Sequence, residues 1–464
     1  METAIERARS LLAAHMEILD VPGMQVAVWR DGRLLWSEGL GWADVENRAP
    51  VTPLTRFSIG SVSKAVTAAA AARLAEKGIL DLEAAIRLYV PRVPATSPPI
   101  TPRLLGSHLA GIRHYRGGER PGADRHFESV DAALDLFLQD SLLFEPGASF
   151  SYSSYGYTLL SAAMEAAADE PFLAIIDEEV FGPLGMRHSS ADRVDRLIPF
   201  RSRGYTMANG RRALAEIEDP SHKWAGGGFL STAEDLVRLG AALLEPGYLS
   251  TEGLSLLFTE ARPRSGERTY YGFGWYVYRT DEGRPVHMHE GNLEHARAHL
   301  MILPEHRLVV AHLANTGTSI GFNSGEMLWL SELFLSERTG PEPGAGVDWS
   351  GVYTFRSTES TLQQDADGLV RAVPADTVPG WLTLYESDGR LRGSFTVGAR
   401  SMPVPAAVEV DGTLELFAVP GSWRKLWVRR VGSGYEGRWE EAGLPSGRLR
   451  LDGELLELRR LIAH

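Results

Sequence analysis

A serine and a lysine three residues apart, Ser61 and Lys64, open a stretch that leaves the backbone little choice of structure. Residues 65–77 are dominated by alanine with leucine and valine, and Gly78 follows directly. Alanine gives up no side-chain entropy in a helix, and glycine adopts the left-handed conformation that closes one. The pattern therefore predicts a buried helix that stops at Gly78. Residues 56–59, ahead of it, read as extended. Ser61 then falls at the helix N-terminus, with Lys64 one turn on and on the same face. A hydroxyl becomes a nucleophile when a neighbour takes its proton, and a desolvated lysine with a lowered pKa does this. The N–H groups of a helix N-terminus suit a developing oxyanion. The same tetrapeptide also arises as a helix cap followed by a surface lysine, so its meaning depends on the rest of the chain.

The 464 residues exceed one ordinary domain and predict two or three. Hydrophobic residues at 44% and charged residues at 23% suit a globular protein with ample core. A net charge of −13, with no basic stripe, argues against a nucleic-acid or anionic-membrane partner. Arginine greatly outnumbers lysine, which makes Lys64 one of few lysines. The absence of cysteine removes disulfides, thiolate metal sites and cysteine nucleophiles together. The first residues are acidic and amphipathic rather than a basic segment before an apolar one, and no run reaches membrane-spanning length. The expectation is a cytoplasmic enzyme; a trimmed leader would shift it to the periplasm or the exterior.

Residues 5–19 have helical periodicity, and strand-like runs at 24–30 and 34–39 are joined by the hairpin signal Asp31-Gly32. The chain is then helix-rich to about residue 190. Strand-like segments return at 272–278, 297–303 and 308–314, and a helical pattern covers 324–335. An α+β or α/β body is predicted, its sheet assembled from distant parts of the chain. Composition shifts to Pro, Gly and Glu over 336–347, a linker that divides a domain at 1–340 from one at 348–464, with 341–347 between them. The last domain alternates apolar and polar residues between Asp-Gly turns, which predicts an antiparallel, lipocalin-like all-β barrel.

Four further segments bear on Ser61 and Lys64. After the turn at Pro146-Gly147 comes Tyr152-Ser153-Ser154 and an apolar helical run. A phenol beside a lysine ammonium can have its pKa lowered enough to shuttle protons, and Tyr152 is the candidate. His289-Glu290-Gly291-Asn292 precedes an inner strand. His289 and Gly291 on its edge would line a cleft wall, and the glycine would bring substrate close to backbone N–H donors. Four histidines crowd this region (His287, His289, His295 and His299), but neither a His-Glu-x-x-His helix nor a suitable carboxylate spacing accompanies them, so neither metal nor cofactor is expected. In residues 224–236, Ser231 or Thr232 caps a helix beginning at Ala233, and Gly226-Gly227-Gly228 packs against the active-site floor rather than around a phosphate. Residues 105–115 read as a structural helix end and turn, with His108 satisfied in the core.

Taken in order, Ser61-x-x-Lys64, Tyr152-Ser153-Ser154, Gly226-Gly227-Gly228 with Ser231-Thr232-Ala233, and His289-Glu290-Gly291 resemble the serine β-lactamase/penicillin-binding-protein superfamily over roughly residues 5–335. The likeness is to its class C and esterase-like branch, and within it to the mitochondrial β-lactamase-like proteins and their bacterial relatives. The resemblance implies an α/β sandwich with a helical subdomain and acyl transfer through an acyl-serine. Ser61 would attack a carbonyl, Lys64 and Tyr152 would move the proton, and Tyr152 or Lys64 would activate the deacylating water. The backbone N–H groups of Ser61 and Asn292 would form the oxyanion hole. His289 stands where many relatives carry lysine and others histidine.

Two departures from the family pattern refine this. Ser154 occupies the place of an asparagine that helps to hold both the lysine and an amide substrate, and it is too short to span the same distance. Glu290 replaces a hydroxyl residue that binds a substrate carboxylate, and it should favour neutral or cationic groups. The expected protein is a serine hydrolase of small-molecule or peptide-like esters and amides and a poor β-lactamase. Acyl transfer to an amine or alcohol, as in macrocyclising thioesterase-like relatives, is one alternative, and a non-catalytic, polymer-forming scaffold is another. Barrels of the predicted kind shape a cleft mouth or mediate oligomers, which makes a homo-oligomer an expectation as well.

Overall fold

The computed structural model describes residues 2–335, except 96, 118, 124, 209–210, 217, 281–282 and 318–323, together with the strands between residues 351 and 461. The linker read at 336–347 lies outside the described residues. Contacts divide the chain into two compact units, Val21–Gly321 and a second made of Met1–Asp20 with Phe322–His464. No helix among the described residues is long and apolar enough to cross a membrane.

The Val21–Gly321 unit is built on a seven-stranded antiparallel sheet: β1 (Gly23–Arg30), β2 (Arg33–Asp44), β3 (Ala49–Pro50), β4 (Tyr276–Arg279), β5 (Pro285–Leu293), β6 (Ala296–Leu303) and β7 (Leu308–Ala314). Their order across the sheet is β3-β2-β1-β7-β6-β5-β4. The Asp31-Gly32 hairpin joins β1 and β2 as the sequence predicts, with both residues at positive φ. The centre of the sheet pairs the two ends of the unit, Met24 with Ala314 through Arg30 with Leu308. Both β1 and β7 are buried almost throughout, which accounts for their near-continuous apolar runs.

Three helices matter for the site: α1 (Ser63–Glu76), α2 (Ser154–Ala168) and α3 (Ala233–Ala242). Ala65 and the alanines at 68–72 of α1 are fully buried, their small side chains letting neighbouring elements approach the helix closely. The helix ends where the sequence predicts, with Gly78 at φ +69° and its N–H donating to the Ala75 carbonyl. Ser153 caps α2 by accepting the Gly156 N–H, and Thr232, rather than Ser231, caps α3 by accepting the Asp235 N–H. This is the β-lactamase/transpeptidase-like α+β fold with an antiparallel sheet.

In the other unit, nine strands between Gly351 and Leu461 form one antiparallel sheet, the first of them pairing with the last. Its outermost strands are Arg400–Val404 and Ala406–Val410.

Candidate active site

Ser61 lies in a single 3₁₀ turn, Gly60–Val62, that runs directly into α1. It therefore precedes the helix rather than capping it. Gly60, at φ +47°, makes the sharp entry that presents the serine. The turn is pinned from below: the Ile59 N–H donates to the Phe229 carbonyl, and the Phe229 N–H donates to Ser63 Oγ. The glycine block before Phe229 packs against the same turn: a Cβ on Gly227 would stand 3.7 Å from the Gly60 carbonyl carbon.

Lys64 is completely buried. Its Nζ lies 3.2 Å from Ser61 Oγ, 3.0 Å from Ser154 Oγ and 2.6 Å from the Gly226 carbonyl oxygen. Burial pushes its ammonium well below the usual lysine range, and the neighbouring Lys223 cation adds to the shift.

Tyr152 lies beside the Ser61 side chain, and its ring centroid stands 4.7 Å from Lys64 Nζ. Here the structure corrects the sequence reading, which expected the lysine to lower the phenol's pKa. Burial raises it well above the usual tyrosine value, nearby Tyr276 adds to this, and the neighbouring Ser61 hydroxyl only partly opposes them. Tyr152 rests protonated and Lys64 is driven towards its neutral form, because the same dry pocket disfavours both charges.

Ser154 supplies a second correction. A serine was expected to be too short to do an asparagine's work, yet its Oγ accepts directly from Lys64. Close packing explains the reach: a Cβ added to Gly226 would stand 3.1 Å from the Ser154 carbonyl oxygen and 3.2 Å from its Cβ. With no side chain at Gly226, the first turn of α2 sits against the segment that also holds the lysine.

Across the cleft, Gly291 meets the turn that carries the serine. A Cβ on Gly291 would overlap the Ile59 carbonyl oxygen and approach Ser61 N to 3.1 Å; one on Gly60 would approach Asn292 N to 3.4 Å. The segments that carry the backbone nitrogens of Ser61 and Asn292 are thus in direct contact.

His289 lines the wall but stands back from the serine. Its Nε2 is 3.0 Å from the Tyr271 hydroxyl, its Nδ1 is 2.8 Å from the Glu290 carbonyl oxygen, and its ring lies 6.4 Å from that of Tyr152. Nδ1 must donate to the carbonyl, which leaves Nε2 to accept from Tyr271. Burial holds the imidazole neutral, with a pKa of about 3. Glu290 is half-buried opposite its register partner His299, whose Nε2 stands 3.9 Å from its carboxylate, and lies near Asn292. Burial raises its pKa, and its charge in turn contributes to the upward shift of Tyr152.

Three participants were not singled out from the sequence. The Gly226 carbonyl carries no side-chain signal at all. Lys223, ion-paired with Glu218 at 2.9 Å, stood out only as another of the few lysines. His114 lay in a segment read as structural.

A buried lysine on a serine hydroxyl, a tyrosine ring beside that lysine, and a glycine strand packed on the serine's turn suit the β-lactamase/transpeptidase-like class of fold. The comparisons agree: the Beta-lactamase family model matches residues 8–326, and the chain belongs to that family. It is 31% identical over 402 residues to the serine beta-lactamase-like protein LACTB, mitochondrial, of Mus musculus, covering 65% of this chain and 73% of that one. Among solved structures, it is similar to EstCE1, a hydrolase with promiscuous acyltransferase activity, at a TM-score of 0.63 and 23% identity, covering 72% of this chain and all of that one. It is also similar to the octameric penicillin-binding protein homologue from Pyrococcus abyssi, at a TM-score of 0.61 and 20% identity, covering 98% of this chain and 100% of that one.

Proposed function

We propose that the protein is a serine hydrolase that cleaves small or peptide-like esters and amides through an acyl-Ser61 intermediate. The observation that carries this reading is the 3.2 Å contact between Ser61 Oγ and a fully buried Lys64 amine. Lys64 takes the Ser61 proton as Oγ attacks the substrate carbonyl carbon. The oxyanion formed accepts the Ser61 and Asn292 backbone N–H groups, whose fixed position costs no reorganisation during reaction. The proton passes through the Tyr152 hydroxyl to the leaving group, and the acyl group stays on Ser61. A water then gives its proton to Lys64 and attacks the ester carbonyl carbon; the bond from Ser61 Oγ to the acyl group breaks, Lys64 returns the proton to Oγ, and the acid leaves. In this scheme Tyr152 is a conduit, because its phenol is held protonated, and His289 is a neutral wall residue.

Ser154 holds the lysine, while Glu290 weighs against substrates with a carboxylate near the scissile bond. Penicillins are therefore poor substrates in this reading. The test is intact-mass labelling with a fluorophosphonate and a penicillin, with Ser61→Ala as control, followed by nitrophenyl esters and D- and L-amino-acid anilides. A single fluorophosphonate adduct lost in Ser61→Ala, with turnover of at least one ester, is expected. Absence of any adduct and any turnover would overturn the reading in favour of a scaffold.

A further inference from the structure

We propose that His108 and His114 are positioning residues that clamp Tyr152 by accepting the backbone N–H groups of the two residues that follow it; this rests on the hydrolase reading above. The Ser153 N–H donates to His108 Nδ1 at 3.1 Å, and the Ser154 N–H donates to His114 Nδ1 at 3.2 Å. The same two segments are joined by the Ser151 N–H on the His108 carbonyl and by Ser153 Oγ on the Arg113 carbonyl. Tyr152 sits inside this lacing. Its ring packs against His108 at 4.3 Å and stands edge-on to His114 at 5.7 Å.

Two features of His108 are unfavourable and call for an explanation. Its backbone is left-handed, at φ +60°, where a residue with a Cβ is strained. Its Nδ1 is an acceptor, so the ring proton is on Nε2, and that buried atom has no hydrogen-bond partner among the described residues. A helix end and turn could be built without either cost. Both are accounted for if a ring must stand at this point, against Tyr152 and able to accept from its successor. Asparagine would tolerate the backbone and accept the N–H, but it would not fill the space between Tyr152, Tyr157 and Tyr271. Both rings are held neutral, His108 well below the usual histidine value and His114 at about 4, chiefly by burial and then by Lys64. A neutral clamp keeps its acceptor and adds no second cation beside the lysine.

The experiment measures steady-state hydrolysis of a nitrophenyl ester by the full chain and its His108→Ala, His108→Asn and His114→Ala variants, each alone and combined with Tyr152→Phe. In the Tyr152 background His108→Ala should lower kcat about ten- to a hundredfold with KM within about twofold. His108→Asn, which restores the acceptor, should recover about threefold or more of that loss. In the Tyr152→Phe background the His108→Ala step should change kcat by less than about twofold, because a residue that acts through the tyrosine has nothing left to position. Equal losses in both backgrounds, a loss confined to KM, or no recovery with asparagine would overturn the clamp. If His108→Ala does not fold, the half-buried His114→Ala carries the same cycle and the same criteria. A wild-type chain with neither Ser61 labelling nor turnover would overturn the hydrolase reading and the clamp together; an active wild type with additive losses would overturn the clamp alone.

Discussion

The amine of Lys64 lies 2.6 Å from the carbonyl oxygen of Gly226, and of its three partners this is the one that can only accept. The other two, Ser61 and Ser154, are hydroxyls that can donate or accept. A neutral Lys64 can therefore give one N–H to Gly226 and one to Ser154, and receive the Ser61 hydroxyl on its lone pair. A charged Lys64 donates to all three. The lysine can exchange a proton with Ser61 without moving a heavy atom.

Replacing Lys64 with methionine should lower kcat about a hundred- to ten-thousandfold, in keeping with loss of a general base. It should also change how stability depends on pH. The folded pKa is depressed below 10.5, so between the two values the unfolded chain holds a proton that the folded chain lacks. Stability from this group is complete above 10.5 and is lost as pH falls through the folded pKa. The Tm advantage of Lys64→Met over wild type should thus be larger at about pH 6 than at about pH 9. A pH-independent difference would refute the depressed pKa.

Ser154→Ala leaves Lys64 with two partners in a dry pocket. A stability loss of about 1–3 kcal/mol is expected, the usual cost of leaving a buried donor unpaired. The kcat for a nitrophenyl ester should fall about tenfold or more. Thermal melts and ester kinetics check the two effects separately. Unchanged values in both would mean that the asparagine-like role of Ser154 is absent.

Gly291→Ala forces a methyl group against the Ile59 carbonyl oxygen. The strand and the serine turn must part, at about 1–3 kcal/mol of stability. The fluorophosphonate labelling rate should fall more steeply than stability, because the spacing between Ser61 N and Asn292 N widens. Labelling at the wild-type rate would argue against an oxyanion hole there.

Glu290→Thr removes the carboxylate from the cleft wall. The ratio of kcat/KM for a substrate with a free carboxylate to that for its methyl ester should rise about tenfold. No change in the ratio would mean that Glu290 serves only its Asn292 and His299 neighbours.

The parts of the site that were legible in the sequence are those that advertise themselves by side-chain type and spacing. Ser61 and Lys64 are three residues apart on a predicted helix, and both strands of the Asp31-Gly32 hairpin lie where the strand-like runs and the turn chemistry put them, the second continuing to Asp44. Contacts that depend on missing side chains were not legible. The hydrogen bond from Lys64 to Gly226 uses a bare carbonyl, and the reach of Ser154 depends on how closely Gly226 lets α2 approach. Electrostatic direction was also hidden: a tyrosine beside a lysine suggests a lowered phenol pKa, but burial dominates once the pocket closes around both. His108 was read as a core residue because its role shows only in a backbone angle and an unpartnered nitrogen.

The pairing of β1 with β7 joins residue 24 to residue 314 at the middle of the sheet. The seam between the first and last strands of the unit is its centre, not its margin. During synthesis Ser61, Lys64 and Tyr152 are made long before the strand that completes the sheet beside them. β5, which brings Asn292 to the Ser61 turn, pairs with β6, and β6 is joined to β1 only through β7, the last strand of the unit to be made. Such long-range closure folds slowly, and it sets the order of maturation. A nascent chain that stops short of Leu308 carries Ser61, Lys64 and Tyr152 without the strand that closes the sheet, so the geometry around them is completed late.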